Sequence, residues 1–447
     1  MKQKKLPEET LAVSYVVDVV VVGGGAAGVA AAVAAARNGA KTLLLEQRGY
    51  MGGMATVSLV PAFCPYTDKK KPVIRGIGME ILEKMKQRCS TQYREWYQDQ
   101  LDWVPIDPEV LKLVYDDIIL ESGCRIIYHT FVSQVIMNEE KDRIEGIVIV
   151  NKSGRSIVSC SYVIDATGDA DVAFMAGAPF QKGGEQGELQ PGTMCYLVAN
   201  VDKSKFETYL REHGDTGQLH KAVRLAQERG DLPPGRKEAS GIAWLSNHVA
   251  GLNFGHVFGI DGTKAEDLTR GAIEGRKTVQ TQLVFLRKYV PGFEQAHLIS
   301  SGEQIGIRET RRIIGDYVLL ASDFLNMTSF EDDIARNAYF IDIHLTTSQD
   351  QTTIRQLPAG ESHGVPYRCL LPMGITNLWV PGRAASSDRI VQSSLRVMPN
   401  CFAMGQAAGT AASMANENRI YSRQINVSEL QKKLVVQGAW LGEGYMS

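Results

Sequence analysis

The most regular stretch of the chain begins at Val16. Val16 to Val22 is a β-branched run broken only by Asp18, the pattern of a strand buried on both faces. Six residues rich in glycine follow, then an Ala-rich stretch to Arg37-Asn38-Gly39 that reads as a helix, then a second strand from Thr42 to Leu45. A helical excursion is predicted over 76–123, with Pro108 in a first turn behind Asp107 as its cap. Strands are expected over 125–137 and 143–158, joined by a turn at 138–142, and again from Tyr162. Helical patterns cover 216–229 and 264–289, and strand-like pieces cover 312–320 and 338–345. A last short strand at 377–384 precedes a helix rich in Ala and Gly over 399–415. The alternation of strands and helices predicts an α/β fold.

The residues between the first strand and helix carry the chemistry. Gly23, Gly25 and Gly28 match G-x-G-x-x-G: Gly23 for a tight turn, Gly25 for close approach of backbone to a pyrophosphate, and Gly28 for packing of helix on strand. Ala26 and Ala27 open the helix, whose N-terminus faces the phosphates. Glu46 ends the second strand eighteen residues beyond Gly28, where an acidic side chain accepts ribose hydroxyls. Gln47 and Arg48 lead from it into Gly52-Gly53-Met54, where backbone runs close to a second part of a cofactor. Two more segments, Ala166-Thr167-Gly168-Asp169 and Gly382-Arg383, are small-residue turns after apolar strands.

Composition narrows the partners. Of 447 residues 44% are hydrophobic and 22% charged, and 48 Lys and Arg against 50 Asp and Glu give a net charge of −2. The longest basic run is Lys69-Lys70-Lys71, so nucleic acid is not an expected partner. Asp18 and the glycines inside the apolar run 16–36 argue for strand, turn and helix rather than a membrane segment. Seven scattered cysteines without a Cys-x-x-Cys spacing predict reduced thiols in a cytoplasm, with no disulfide framework, metal site or iron-sulfur cluster. The glycines at 183, 184 and 187 lack the fingerprint spacing and a preceding strand, so no second dinucleotide domain is expected.

Taken with Gly306-Ile307-Arg308-Glu309-Thr310-Arg311-Arg312, Phe340-Ile341-Asp342-Ile343-His344, Val365-Pro366-Tyr367-Arg368, Arg396-Val397-Met398 and Gly405-Gln406-Ala407-Ala408-Gly409, these segments make a resemblance that spans nearly the whole chain. The chain resembles bacterial FAD-dependent oxidoreductases with a glutathione-reductase-type Rossmann domain, distant relatives of the fumarate reductase and succinate dehydrogenase flavoproteins. The resemblance implies FAD as cofactor and a discontinuous Rossmann-type FAD-binding domain, 1–176 completed by 365–447, with 177–364 inserted as an α+β substrate domain. It puts the pyrophosphate at Gly23, Gly25 and Gly28, the ribose at Glu46, and the ribityl chain and flavin beside Gly52, Gly53 and Met54. Val132 would offer its backbone to adenine. Thr167, Gly168 and Asp169 would pass the adenosine half, and Gly382 and Arg383 the ribityl and phosphate region. Arg396, Val397 and Met398 would lead into a helix whose N-terminus faces the flavin pyrimidine. Several relatives carry a flavin-linked histidine in the region between Glu46 and Lys69; none occurs here, so noncovalent FAD is expected.

The resemblance further implies hydride transfer at flavin N5 with a small organic substrate, such as a hydroxy, amino or unsaturated acid. It leaves the electron acceptor and any homo-oligomer open. An electron-transfer subunit serving a partner chain and a nonredox FAD protein are the alternatives. His344 is the first candidate acid or base, with Asp342 two residues away on one strand face to orient it; the competing reading is a core histidine satisfied by that neighbour. Arg308, Arg311 and Arg312 have helical spacing and suit an anionic ligand, or else an internal ion-pair network with Glu309 and Asp316. His363 is placed in a loop that caps the flavin, with His256 as a similar candidate, and Cys64 is close enough in sequence to approach the flavin or merely to pack.

Overall fold

The computed structural model describes residues 9–232, 238–239, 241–344 and 353–445. The first strand, β1 (Val13–Val22), leads into the helix α1 (Ala26–Arg37) and then β2 (Thr42–Leu45). β1 pairs in parallel with β2 on one side and with the strand Gly154–Asp165 on the other, and Arg125–Ile127 extends the sheet in parallel beyond β2. Ile144–Asn151 and Phe131–Met137 continue it antiparallel, while Leu378–Trp379 returns from far along the chain to pair with Val163 and Ile164. Val19, Val20 and Val21 are fully buried, as expected of a strand covered on both faces.

Almost all of α1 is buried because a second helix, Met398–Asn418, lies against it. Glycines set the spacing: a Cβ on Gly405 or Gly409 would sit 2.1 Å from the carbonyl oxygens of Ala27 and Ala31 respectively. The two helices therefore run parallel in register. Ala27 stands one residue into its helix and Gly405 seven residues into the other, so the later helix begins about 9 Å further out at the same end.

A separate apolar core is built from residues 194–307: a four-stranded antiparallel sheet in the order Ile242–Ser246, Val249–Leu252, Tyr196–Ala199, His297–Ser301, covered by the helix Ala265–Tyr289. The rest of the 177–364 span is divided, since Leu319, Phe324, Ile334, Ile341 and Leu357 pack into the core that holds α1.

Most predicted elements stand, including the Pro108–Glu121 helix, whose Asp107 carboxylate accepts from the N–H groups of Glu109 and Val110. Others are corrected. The 125–137 strand is broken by His129 at φ +52, so its halves pair with different neighbours. A hairpin at Gly154 (φ +106) interrupts 143–158, and its second arm runs on without a break into the Tyr162 segment. The 216–229 helix starts only at His220, and a helix at Lys203–His213 precedes it. That helix buries only Phe206 and Tyr209, too short an apolar stripe to read. The 312–320 strand shrinks to Arg311–Ile313, and 338–345 to Ile341–Ile343, with Leu345 outside the described residues. Among the described residues no helix is long and apolar enough to cross a membrane.

Candidate active site

Three segments distant in sequence converge on the turn before α1. A Cβ on Gly23, which has φ +97, would lie 2.5 Å from the Ala166 carbonyl oxygen, and one on Gly28 would lie 1.8 Å from the Gly23 oxygen. Gly53 comes within 3.2 Å of Gly25 Cα by the same construction, Gly52 N–H donates to Gly24 O at 2.8 Å, and Gly382 abuts Ala27. Gly25 differs from the rest: nothing lies within 4 Å of where its Cβ would be. Space is thus left open at the N-cap of α1, whose first turn has no side-chain cap and no acidic residue. Unsatisfied N–H groups at a helix N-terminus beside open space fit a pyrophosphate.

Glu46 is buried beside this turn, its carboxylate accepting from Gly24 N–H at 2.7 Å and Arg48 N–H at 2.8 Å. Burial raises its pKa, and those N–H groups work against the rise. Gln47 is exposed, while the Arg48 side chain turns away to Glu303 and Gln304, so only its backbone serves the turn. Thr130 N–H donates to the Glu46 carbonyl at 3.0 Å, two residues ahead of Val132, which pairs with Ile149. Asp169 accepts from Arg383 and from Thr310, both at 2.6 Å, and ties the Thr167-Gly168 turn to the Gly382-Arg383 turn. Met54 is half-buried next to Gly53. The helix Met398–Asn418 has Val397 as its N-cap, and this residue makes no side-chain cap hydrogen bond.

Beyond this cradle lies a polar cluster. His344 Nε2 is 3.3 Å from Asp342 Oδ2, as the shared strand face predicts. Asp342 also faces Arg396, whose guanidinium donates to the Asp342 carbonyl at 2.9 Å, and it accepts from Tyr339 OH at 3.3 Å. Burial opposes ionisation of Asp342, but the His344 hydrogen bond, Arg396 and Arg308 outweigh it and hold the carboxyl well below its usual range. His344 moves down as well, through burial first and Arg308 second, against the pull of Asp342. The pair is therefore a carboxylate beside a neutral imidazole. Because a carboxylate only accepts, Nε2 carries the proton and Nδ1 keeps its lone pair. Nδ1 is buried and has no hydrogen-bond partner among the described residues. The Arg396 side chain is largely buried, with 9% of its surface exposed, and desolvation lowers its pKa to about 10. Arg308 donates to Pro191 O and Thr193 Oγ1, both at 2.8 Å, and its charge acts on Asp342, His344 and Arg396. The His256 ring stands edge-on to His344, 5.0 Å between centroids.

Several expectations are corrected. Arg308, Arg311 and Arg312 do not share a helical face: Arg311–Ile313 is a strand, and the side chains diverge. Arg311 pairs with Asp171 at 2.8 Å and stacks on Phe174 and Phe180, away from His344, because its strand turns it toward the helix Asp171–Met175. Arg312 bonds Glu309, the ion-pair alternative. His363 is not in a loop. It lies in the strand His363–Pro366, fully buried, with Asn337 on Nε2 and the Gly364 carbonyl on Nδ1. Cys64 lies close enough to Asp342 and Tyr339 to feel both, and burial pushes its thiol up, so it stays protonated. Gln190, Thr193 and Tyr339 carry no sequence signal of their own and join the cluster only through contacts far along the chain. Among the described residues no group of three His, Cys, Asp or Glu is arranged for a metal.

The parallel sheet and the glycine turn that leads into α1 define a Rossmann-type dinucleotide-binding fold. The chain belongs to the FAD dependent oxidoreductase family, which matches it over residues 18–434, and FAD is its cofactor. It is similar in fold to the geranylgeranyl bacteriochlorophyll reductase-like protein of Thermoplasma acidophilum (14% identity, 95% of this chain and 84% of that one, TM-score 0.46). It is also similar to L-proline dehydrogenase from P. horikoshii (10% identity, 96% and 99%, TM-score 0.43) and to the myxobacterial chondrochloren halogenase (12% identity, 94% and 79%, TM-score 0.47). No curated protein matches the chain.

Proposed function

We propose that this oxidoreductase moves a hydride between FAD and a small organic acid, with His344 Nδ1 as the proton acceptor or donor. The observation that carries the reading is that nitrogen: a buried lone pair, fixed by Asp342 on the opposite side of the ring and without a partner among the described residues. The fold offers Gly23, Gly25, Ala26, Ala27 and Gly28 for the FAD pyrophosphate, Glu46 for the ribose, and Val132 for adenine. The backbone at Gly52, Gly53, Met54, Gly382 and Arg383 then lines the way toward Val397 and Met398.

Bound FAD supplies a two-electron hydride acceptor or donor at its isoalloxazine. The chain does the rest. Arg308, anchored through Pro191 and Thr193, neutralises a substrate carboxylate. His344 Nδ1 takes the proton of a substrate O–H or N–H, or the α-C–H of a saturated acid, as the hydride leaves the adjacent carbon, and in the reverse direction returns it. Asp342 then stabilises the imidazolium. All of Arg308, His256, His344 and Asp342 come from the 177–364 segment, which we take as the substrate side, while 1–176 and 365–447 form the cofactor side.

The test is anaerobic mixing of the FAD-loaded protein with 2-hydroxy acids, amino acids and, after chemical reduction of the flavin, 2-enoic acids. Bleaching or recovery of the visible flavin band with one class, lost in His344→Gln, is the expected result. A flavin that responds to none of them rejects the assignment.

A further inference from the structure

The four residues Gln190-Pro191-Gly192-Thr193 hold both halves of the proposed chemistry. Pro191 O and Thr193 Oγ1 grip Arg308, and Gln190 Oε1 accepts from the His344 backbone N–H at 3.1 Å and from Arg396 Nη1 at 2.9 Å. Two donors on Oε1 fix which way the amide faces, because exchanging O and N would set N–H groups against N–H groups. The –NH2 group is thereby turned away from both. Gln190 is only 2% exposed, its backbone N–H is already bound to Glu309, and its Nε2 has no hydrogen-bond partner among the described residues. A buried donor pair without an acceptor is costly and rare in a native fold, and in a binding site it is satisfied by the ligand.

Two orphaned polar atoms thus occur within one small cluster, the Gln190 amide nitrogen and His344 Nδ1, with Arg308 held by the residues that follow Gln190. One is a donor and the other an acceptor. An oxyacid presents the complement of both: oxygen atoms that accept, and a hydroxyl or amine hydrogen that is donated. We propose that Gln190 is a substrate-binding residue whose amide donates to a carboxylate or carbonyl oxygen of the substrate, beside the Arg308 contact. The proposal rests on the acid-substrate reading above and adds a second oxygen contact to it. Charge alone then does not suffice: a ligand lacking an acceptor oxygen at that point leaves the amide unsatisfied and is rejected.

The experiment is calorimetric titration of acetate, oxalate and benzoate into the FAD-loaded full chain and into Gln190→Glu and Gln190→Met. Glu keeps an oxygen for His344 N–H and Arg396 but replaces the donor with negative charge. Met keeps the volume and removes the amide. Expected is binding of at least one of the three acids by the unaltered protein, weakened at least about tenfold in both variants and more in the Glu variant, with FAD content and melting temperature retained. Affinities within twofold of the original in either retained variant overturn the proposal. Variants that fold but lose FAD overturn it too, since the amide then serves the cofactor. If the unaltered flavoprotein binds none of the three acids, both this proposal and the acid-substrate reading fall. Binding that is unaffected by the variants removes Gln190 alone.

Discussion

A Cβ on Gly405 would lie 2.1 Å from the carbonyl oxygen of Ala27, so the helix that closes the FAD domain touches the helix that opens it backbone to backbone. No side chain fits there without moving one helix. Gly405→Val is therefore expected to destabilise the fold by about 1–3 kcal/mol and to shift the Val397–Met398 turn relative to Gly25. Thermal unfolding with and without FAD, together with the FAD content of the purified variant, measures both effects.

Gly25 offers the contrasting case. Its φ of −72 suits any L-residue, and no atom lies within 4 Å of its Cβ position. Gly25→Leu is expected to leave the melting temperature of the FAD-free chain within a few degrees while abolishing FAD uptake. Gly28→Leu, with the Gly23 oxygen 1.8 Å away, is expected to damage the apo fold itself.

His344→Gln is expected to slow reduction of FAD by a cognate acid by about 10²–10⁴ without changing FAD affinity. Because burial and Arg308 hold the imidazole below its usual pKa, the neutral base persists below pH 6.5, and the rate falls only at lower pH as Nδ1 protonates. Stopped-flow reduction rates across pH read the limb directly; one centred at or above 6.5 would remove the assignment.

Arg308→Lys retains charge but loses the fork held by Pro191 and Thr193. An acidic ligand should weaken roughly tenfold while FAD affinity stays constant. Equal losses in both would mark Arg308 as part of the scaffold.

His363 makes a prediction about stability rather than catalysis. Burial lowers its pKa from 6.5 to about 4. The unfolded chain therefore binds a proton that the folded chain refuses. Stability contributed by the neutral ring is complete above pH 6.5 and declines as pH falls toward 4, by roughly 3 kcal/mol in all. Denaturant midpoints across this range should fall more steeply for the unaltered protein than for His363→Gln.

The cradle was legible because its requirements are local. Gly23 answers to a turn and Gly28 to close packing of helix on turn within six residues, and the strand, helix and strand around them are regular enough to read. Asp342 and His344 were legible for the same reason, since alternation along a strand puts them on one face. Arg311 was misread because three residues of strand carry no period, and arginines three and four apart then pass for a helical face. His363 was misread because its neighbours Glu361, Ser362 and Gly364 look like a loop, whereas pairing with Asp333–Asn337 makes a strand of it. Gln190 could not be read at all: its partner His344 is 154 residues away, and its significance depends on an amide whose orientation only tertiary structure fixes.

The contact between Ala27 and Gly405 also orders events during synthesis. Strand β1 and its glycine turn leave the ribosome long before the helix that covers α1 and presents Val397 and Met398. Until then α1 lacks its cover and exposes its alanine face. A chain cut short before residue 398 leaves α1 without this cover, and it is expected to hold FAD less well than one that includes the later helix.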